Sequence, residues 1–394
     1  MKRPTSLLRA QILRCIEPKA ADETASKTHQ PFRRKFETRI PLISQSVAER
    51  FLIGQKLVAL KQTVAQAVSD DFFRNHPDWL ARYGERGRQF CTADYCSHIE
   101  FLAGAIDAGS PDSFASYSRW TARMLAARGI TAHTLGECFV QLERHLAQVL
   151  LPEEAGTVGV YLARGCEECE QPILLEDASC QSNDGLELTR SVFMSAILGG
   201  QRKAALTIVD EALRAGHSHV DIYVNVFTEA LHSIGELWES NKISVAQEHM
   251  ATSITQYAIA AIYPRLVPAG IQRGSMVVTG VSGELHQIGA NLVADAMEAK
   301  GWAVQFLGSN LPDSSVVAAV EESSAKVLCV STTIVANLPA VVELVKAVRS
   351  RLGERAPKIV LGGSAYLMTP KFGQELGAAE PVTELKRGLA MLCA

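Results

Sequence analysis

The periodicity of this chain changes at residue 275, and that change restricts the fold more than any other feature. Upstream, apolar residues recur at three and four positions, the spacing of buried helix faces. Downstream, short runs rich in β-branched residues at 277–281, 303–307, 327–333 and 359–361 alternate with helical segments at 286–300, 313–324, 338–352 and 384–392. Parallel neighbours need a crossover long enough to hold a helix, so strict alternation predicts a parallel sheet with helices on both faces. Its size and spacing over residues 272–394 are flavodoxin-like.

The upstream half divides further. Helical patterns at 186–198, 201–215, 219–239 and 244–264 are separated by Gly199-Gly200, Gly216 and Asn241-Lys242. Short loops between four such segments predict an antiparallel four-helix bundle over 186–267. Residues 45–154 are helical as well, with starts at Asn75-His76-Pro77 and Ser110-Pro111-Asp112, where proline falls near the first turn. Residues 155–185 are polar and contain Gly and Pro, and they read as a linker with room for one short helix. The fold class is therefore α plus α/β: an N-terminal all-helical domain, a four-helix bundle, and a C-terminal flavodoxin-like (Rossmann-like) parallel-sheet domain.

Net charge is −3, which removes any global attraction to nucleic acid or a membrane surface. Residues 1–40 hold ten Lys or Arg against four Asp or Glu, leaving −9 for the rest, and 1–44 read as a basic, poorly ordered tail. No stretch reaches the roughly 20 apolar residues of a membrane span, and the start lacks the apolar core of a secretory signal. Nine cysteines without a disulfide spacing point to the cytoplasm. Cys166-Glu167-Glu168-Cys169, with Cys180 beyond it, lacks the second ligand pair of a zinc site and reads as incidental.

The segment Glu284-Leu285-His286-Gln287-Ile288-Gly289 directly follows the first strand run and opens a helix. Open α/β sheets place their sites on loops at the carboxyl ends of strands. A loop histidine with a carboxylate two residues earlier suits a metal ligand whose second ring nitrogen is held by an acid. Gly289 lets the backbone approach a bulky group.

A helical bundle followed by a flavodoxin-like domain with this acid-x-His-x-x-Gly loop resembles the cobalamin-binding module shared by methionine synthase, corrinoid methyltransferase proteins and cobalamin-dependent photoreceptors. The resemblance covers about residues 186–394. It implies that His286 replaces the cofactor's own base as lower cobalt ligand and that Glu284 holds its other nitrogen. It also places Ser331 beside the buried nucleotide tail, Gly362 and Gly363 where the tail needs room, and Leu285, Gln287, Ile288, Gly289 and Thr333 among the contact residues.

Glu at 284, where methyltransferases carry Asp, resembles the light-dependent regulators. Trp238 followed by Glu248-His249 resembles the cap of those photoreceptors, in which the Trp covers the upper corrin face beside the adenosyl group. One position departs: a histidine directly after the Trp captures cobalt in the carotenoid-synthesis repressor, and here it is Glu239, with His249 or His232 as substitutes. Residues 90–150 carry a looser resemblance to photocobilins, which bind biliverdin beside cobalamin. There Tyr95, His98, Tyr117 and Trp120 would line the bilin site, and Cys91 or Cys96 could attach it.

The expectation is a non-enzymatic light sensor with adenosylcobalamin and a second chromophore, biliverdin. Nothing in 1–180 has a recognition-helix pattern, so direct nucleic-acid binding is not expected. No output domain follows residue 394, so the signal would leave through light-dependent homo-oligomer assembly or a downstream protein partner. The alternatives are a corrinoid protein carrying methyl groups for a methyltransferase system, and a cobalamin sensor without photochemistry.

Overall fold

The computed structural model describes residues 46–171, 185–266, 270, 273–379 and 381–393. The basic tail and residues 172–184 of the expected linker lie outside them. The chain divides into two compact units, one of residues up to 122 plus 131–171, the other of 123–130 plus 172–394.

The first unit is helical: α1 (Val47–Asn75), α2 (Pro77–Asp107), most of α3 (Pro111–Ala126), α4 (Ala132–Val149) and α5 (Pro152–Cys169). A capping box starts α1, in which the Ser46 hydroxyl accepts from the Glu49 N–H and the Glu49 carboxylate accepts from the Ser46 N–H. Proline occupies the first position of α2, α3 and α5, where its missing N–H costs nothing. Gly84 (φ 64°, ψ −168°) breaks α2 near its start. Leu57, Ile99, Leu102, Phe114, Phe139 and Leu162 are among its buried side chains. The expected linker needs correction: Pro152–Cys169 is one continuous helix with Val158, Tyr161 and Leu162 buried. Its apolar residues sit three and four apart among Glu, Gly and Arg, so the polar composition masked a helix face.

In the second unit, α6 (Glu187–Leu198) and α7 (Arg202–Arg214) are followed by one long helical run. That run is α8 (His219–Ile222), a π-helical turn (Tyr223–Thr228) and α9 (Glu229–Glu239). The Thr228 hydroxyl donates to the Tyr223 carbonyl five residues back (2.9 Å), the spacing of the π-turn. α10 (Val245–Ile262) follows, and Phe193, Ile197, Val209, Tyr223, Phe227 and Ile259 join one apolar core.

The sheet comprises β1 (Gly274–Gly280), β2 (Trp302–Phe306), β3 (Val327–Ser331) and β4 (Lys358–Gly362), all parallel in the order β2-β1-β3-β4. Its crossovers carry α11 (Ile288–Ala299), α12 (Asp313–Glu322) and α13 (Leu338–Leu352). The short α14 (Phe372–Glu375) and α15 (Leu385–Cys393) complete the chain. This is a Rossmann-like arrangement. Strands β1 and β3 are adjacent although not consecutive, so the order reverses between them and a crevice opens beyond their carboxyl ends.

Two buried or bridging carboxylates tie the helices to the sheet layer. Tyr223 donates to Asp295 on α11 (2.9 Å) and Tyr263 to Glu298 (2.6 Å). Burial raises the Asp295 carboxyl to about 6; the Tyr223 bond pulls it down and the Glu298 charge pushes it up.

Candidate functional site: the loop after the first strand

The crevice loop is built around Glu284, which is fully buried. Its Oε1 accepts from the Leu285 N–H (3.0 Å), the His286 N–H (2.9 Å) and the His286 ring Nδ1 (2.6 Å). Its Oε2 accepts from the Thr333 N–H (2.8 Å), the Ile334 N–H (3.3 Å) and the Asn337 side-chain amide (3.0 Å). Burial alone would raise this carboxyl, but the His286 ring bond and charge, with the His286 and Thr333 N–H groups, bring it down to about 2. The acid is thus an anion that holds the loop after β1 to the loop after β3.

With Nδ1 taken by Glu284, the His286 ring has Nε2 as its second nitrogen, the one left for another partner. The side chain is 28% exposed, so that nitrogen belongs to a ring that solvent reaches. This is the arrangement that a metal-ligating imidazole needs, a ring oriented by a carboxylate. The loop is pinned again at Gly283 (φ 85°), whose N–H donates to Asn310 Oδ1 (2.9 Å). Beyond it, Gln287 precedes α11, Leu285 is 40% exposed, and a Cβ added to Gly289 would meet nothing within 4 Å. The space beside Gly289 and the oriented imidazole together fit a bulky planar metal cofactor.

Ser331 lies at the end of β3, in register with Gly280 of β1 and Gly362 of β4. The two expected tail glycines have a reason of their own in the fold. A Cβ at Gly362 would stand 3.0 Å from the Val382 carbonyl oxygen, and at Gly363 (φ 113°) 2.2 Å from the Thr332 oxygen. Their bareness is required by neighbouring backbone.

Two models of the B12 binding domain match the chain, one over residues 192–263 and one over 274–383. Together the two matches support a cobalamin-binding module over these residues. Methionine synthase of Mycobacterium leprae is 26% identical over 176 residues, 43% of this chain but only 14% of that protein. A corrinoid protein of Desulfitobacterium hafniense is 20% identical, and trimethylamine corrinoid protein 1 of Methanosarcina acetivorans 21%. Each of those two alignments covers 46% of this chain, and 86% and 85% of the relative. Among solved structures, the monomethylamine corrinoid protein of Methanosarcina barkeri is 19% identical, covering 53% of this chain and 98% of that one at a TM-score of 0.48.

Within the module, the remaining expected residues fall into two groups. Glu248, buried, and His249, largely exposed, bond each other on α10, and Thr252 donates to Glu248 (3.3 Å). Trp238, in the last turn of α9, is 3% exposed and lies under the Arg128 guanidinium, 5.6 Å from the ring centroid. Outside the module, the expected bilin residues are in mutual contact. The His98 Nδ1 bonds the Tyr117 hydroxyl (2.7 Å), the Tyr95 ring meets His98 edge-on, and Tyr117 is tilted against Trp120. Burial lowers His98 to about 4, which keeps its ring neutral. Cys91 and Cys96 are half-buried and form no disulfide. Among the described residues, no cluster of three or more His, Cys, Asp or Glu could hold a metal, and Cys180 lies outside them. No described helix is long and apolar enough to cross a membrane.

Asn337 is the residue that sequence reasoning missed. It precedes the Leu338-Pro339 helix start, six positions after Ser331, and a polar side chain between a strand end and a proline-marked helix was the available signal.

Proposed function

We propose that this chain is a corrinoid protein whose module holds cobalamin with His286 as the lower cobalt ligand. The observation that carries this is the Glu284 anion, which fixes the His286 ring by Nδ1 and is itself fixed by Thr333, Ile334 and Asn337. Glu284 sets the tautomer and orientation of the ligand before any cofactor arrives. Ser331 and Thr333 flank the crevice between β1 and β3, where the nucleotide tail would enter. Bound there, cobalamin would supply a cobalt–carbon bond, used for methyl transfer or, in the adenosyl form, for light-driven release of the carbon group.

Relatives named as trimethylamine corrinoid proteins favour the first use, carriage of methyl groups for a methyltransferase system. A light-sensing use is favoured by a different observation, the sealed Trp238 with the Glu248–His249 pair on the next helix. A broad, water-excluding aromatic suits a cap over an adenosyl group. In that use biliverdin would occupy the first unit near His98 and Tyr117, and assembly or a partner would carry the signal.

Absorbance spectra test the readings together. Bound cobalamin is expected to show a histidine-ligated spectrum that His286→Ala abolishes, and an unchanged spectrum and affinity in that variant would refute the site. Adenosylcobalamin protein is then compared in the dark and under green light, with and without biliverdin. A light-driven spectral change with altered oligomer size supports sensing; methyl transfer from methylcobalamin protein to a thiol, without a light response, supports carriage.

A further inference from the structure

The carboxyl ends of α3 and α9 are closed by the same turn, and the two turns grip each other. After α3, Gly129 (φ 78°) takes the left-handed position; Ile130 N–H donates to Leu125 O (3.0 Å) and Gly129 N–H to Ala126 O (3.0 Å). After α9, Asn241 (φ 57°) takes it; Lys242 N–H donates to Leu237 O (2.8 Å) and Asn241 N–H to Trp238 O (3.0 Å). Both are Schellman turns. Arg128, at the cap of α3, donates from Nη1 to Glu239 O (3.1 Å) and Met124 O (2.9 Å), and from Nη2 to Trp238 O (3.2 Å). Asn241 Nδ2 donates in return to Ala127 O (3.5 Å). The guanidinium therefore binds the last carbonyls of α9, where a cation is favoured, and covers the Trp238 ring. A lysine has no planar fork to serve both carbonyls and the ring at once.

We propose that Arg128 is the positioning residue for Trp238, and that this clasp passes displacement of the α9 end into α3. Residues 123–130 pack with the cobalamin-binding unit, while α3 before them belongs to the first unit. The cofactor half of this proposal rests on the reading of Trp238 as an upper-face residue.

The test compares Arg128→Ala, Arg128→Lys and Trp238→Phe in the full chain. In cofactor-free protein, the emission of Trp238 is obtained as the difference from Trp238→Phe. Arg128→Ala is expected to shift it to the red, and Arg128→Lys to shift it partway. With cobalamin, the histidine-ligated spectrum should persist in Arg128→Ala, while the preference for adenosylcobalamin over hydroxocobalamin falls about tenfold, as losing roughly one charge-assisted hydrogen bond would give. Wild-type emission in Arg128→Ala overturns the positioning role, and a red shift with an unchanged preference overturns the coupling, leaving a simple helix cap. If Arg128→Ala does not fold, Arg128→Lys carries both readouts. If even the wild type binds no cobalamin, the proposed cofactor function and the coupling both fail, and the emission shift still decides positioning.

Discussion

Glu284 accepts from six donors at once and is surrounded by protein, so it cannot be replaced by a group that must also donate. In Glu284→Gln the amide nitrogen would face an N–H group whichever way it turned. That variant should lose about 2–3 kcal/mol in urea unfolding of the second unit, and about 10- to 100-fold in cobalamin affinity, the usual cost of removing a ligand's orienting carboxylate. Gly363→Ala should cost about 1–3 kcal/mol for its left-handed backbone alone, with the Thr332 contact adding to it; equal melting of variant and wild type would contradict this. At this scale the acid and the histidine were legible because two residues apart in a loop is a local relation. Asn337, fifty-three positions from Glu284, was not, because only the adjacency of β1 and β3 brings it near.

The elements themselves were legible wherever burial on one face left a period in the sequence. The four helical segments before the sheet, the three crossover helices and the final α15 fall within a few residues of their expected limits. The break at Gly84 and the π-turn were not legible, since neither changes the spacing of apolar residues enough to show. The Tyr223–Asp295 bond crosses from that π-turn to α11, and it yields a prediction with a definite sign. The folded-state value of Asp295, about 6, lies above its ordinary 3.8, so the folded protein binds the proton more tightly. Its contribution is full below about 3.8 and is lost as pH rises through about 6. Asp295→Asn, still able to accept from Tyr223, should therefore be more stable than wild type above pH 7 by about 1–3 kcal/mol. The difference should close below pH 4, as denaturant titrations at several pH values would measure.

Across the whole molecule, two compact units imply two unfolding events with different dependences. Cobalamin at a hundredfold excess over its Kd should stabilise the second unit by about 2.7 kcal/mol and leave the first in place. The buried His98 of the first unit has a folded value of about 4 against an ordinary 6.5, so stability present above 6.5 is lost as pH falls toward 4. His98→Gln should flatten that dependence in calorimetry between pH 4.5 and 7.5, and identical slopes would show that His98 does not carry it. The boundary between units was the part least visible in sequence. Residues 123–130, the last turn of α3 and the turn that closes it, show no break in composition, and only their packing assigns them to the second unit.

The π-turn at Tyr223–Thr228 adds, in effect, one residue to a helix that bonds Asp295 at one end and meets Arg128 at the other. Each helical residue subtends about 100°. Deleting Val224 would let the run close as a plain α-helix and turn Trp238 by that angle relative to Tyr223. The two anchors would then fall out of phase, and one of them would have to be surrendered. The run is a gear with a single correct tooth count, so length, more than composition, is what it cannot change.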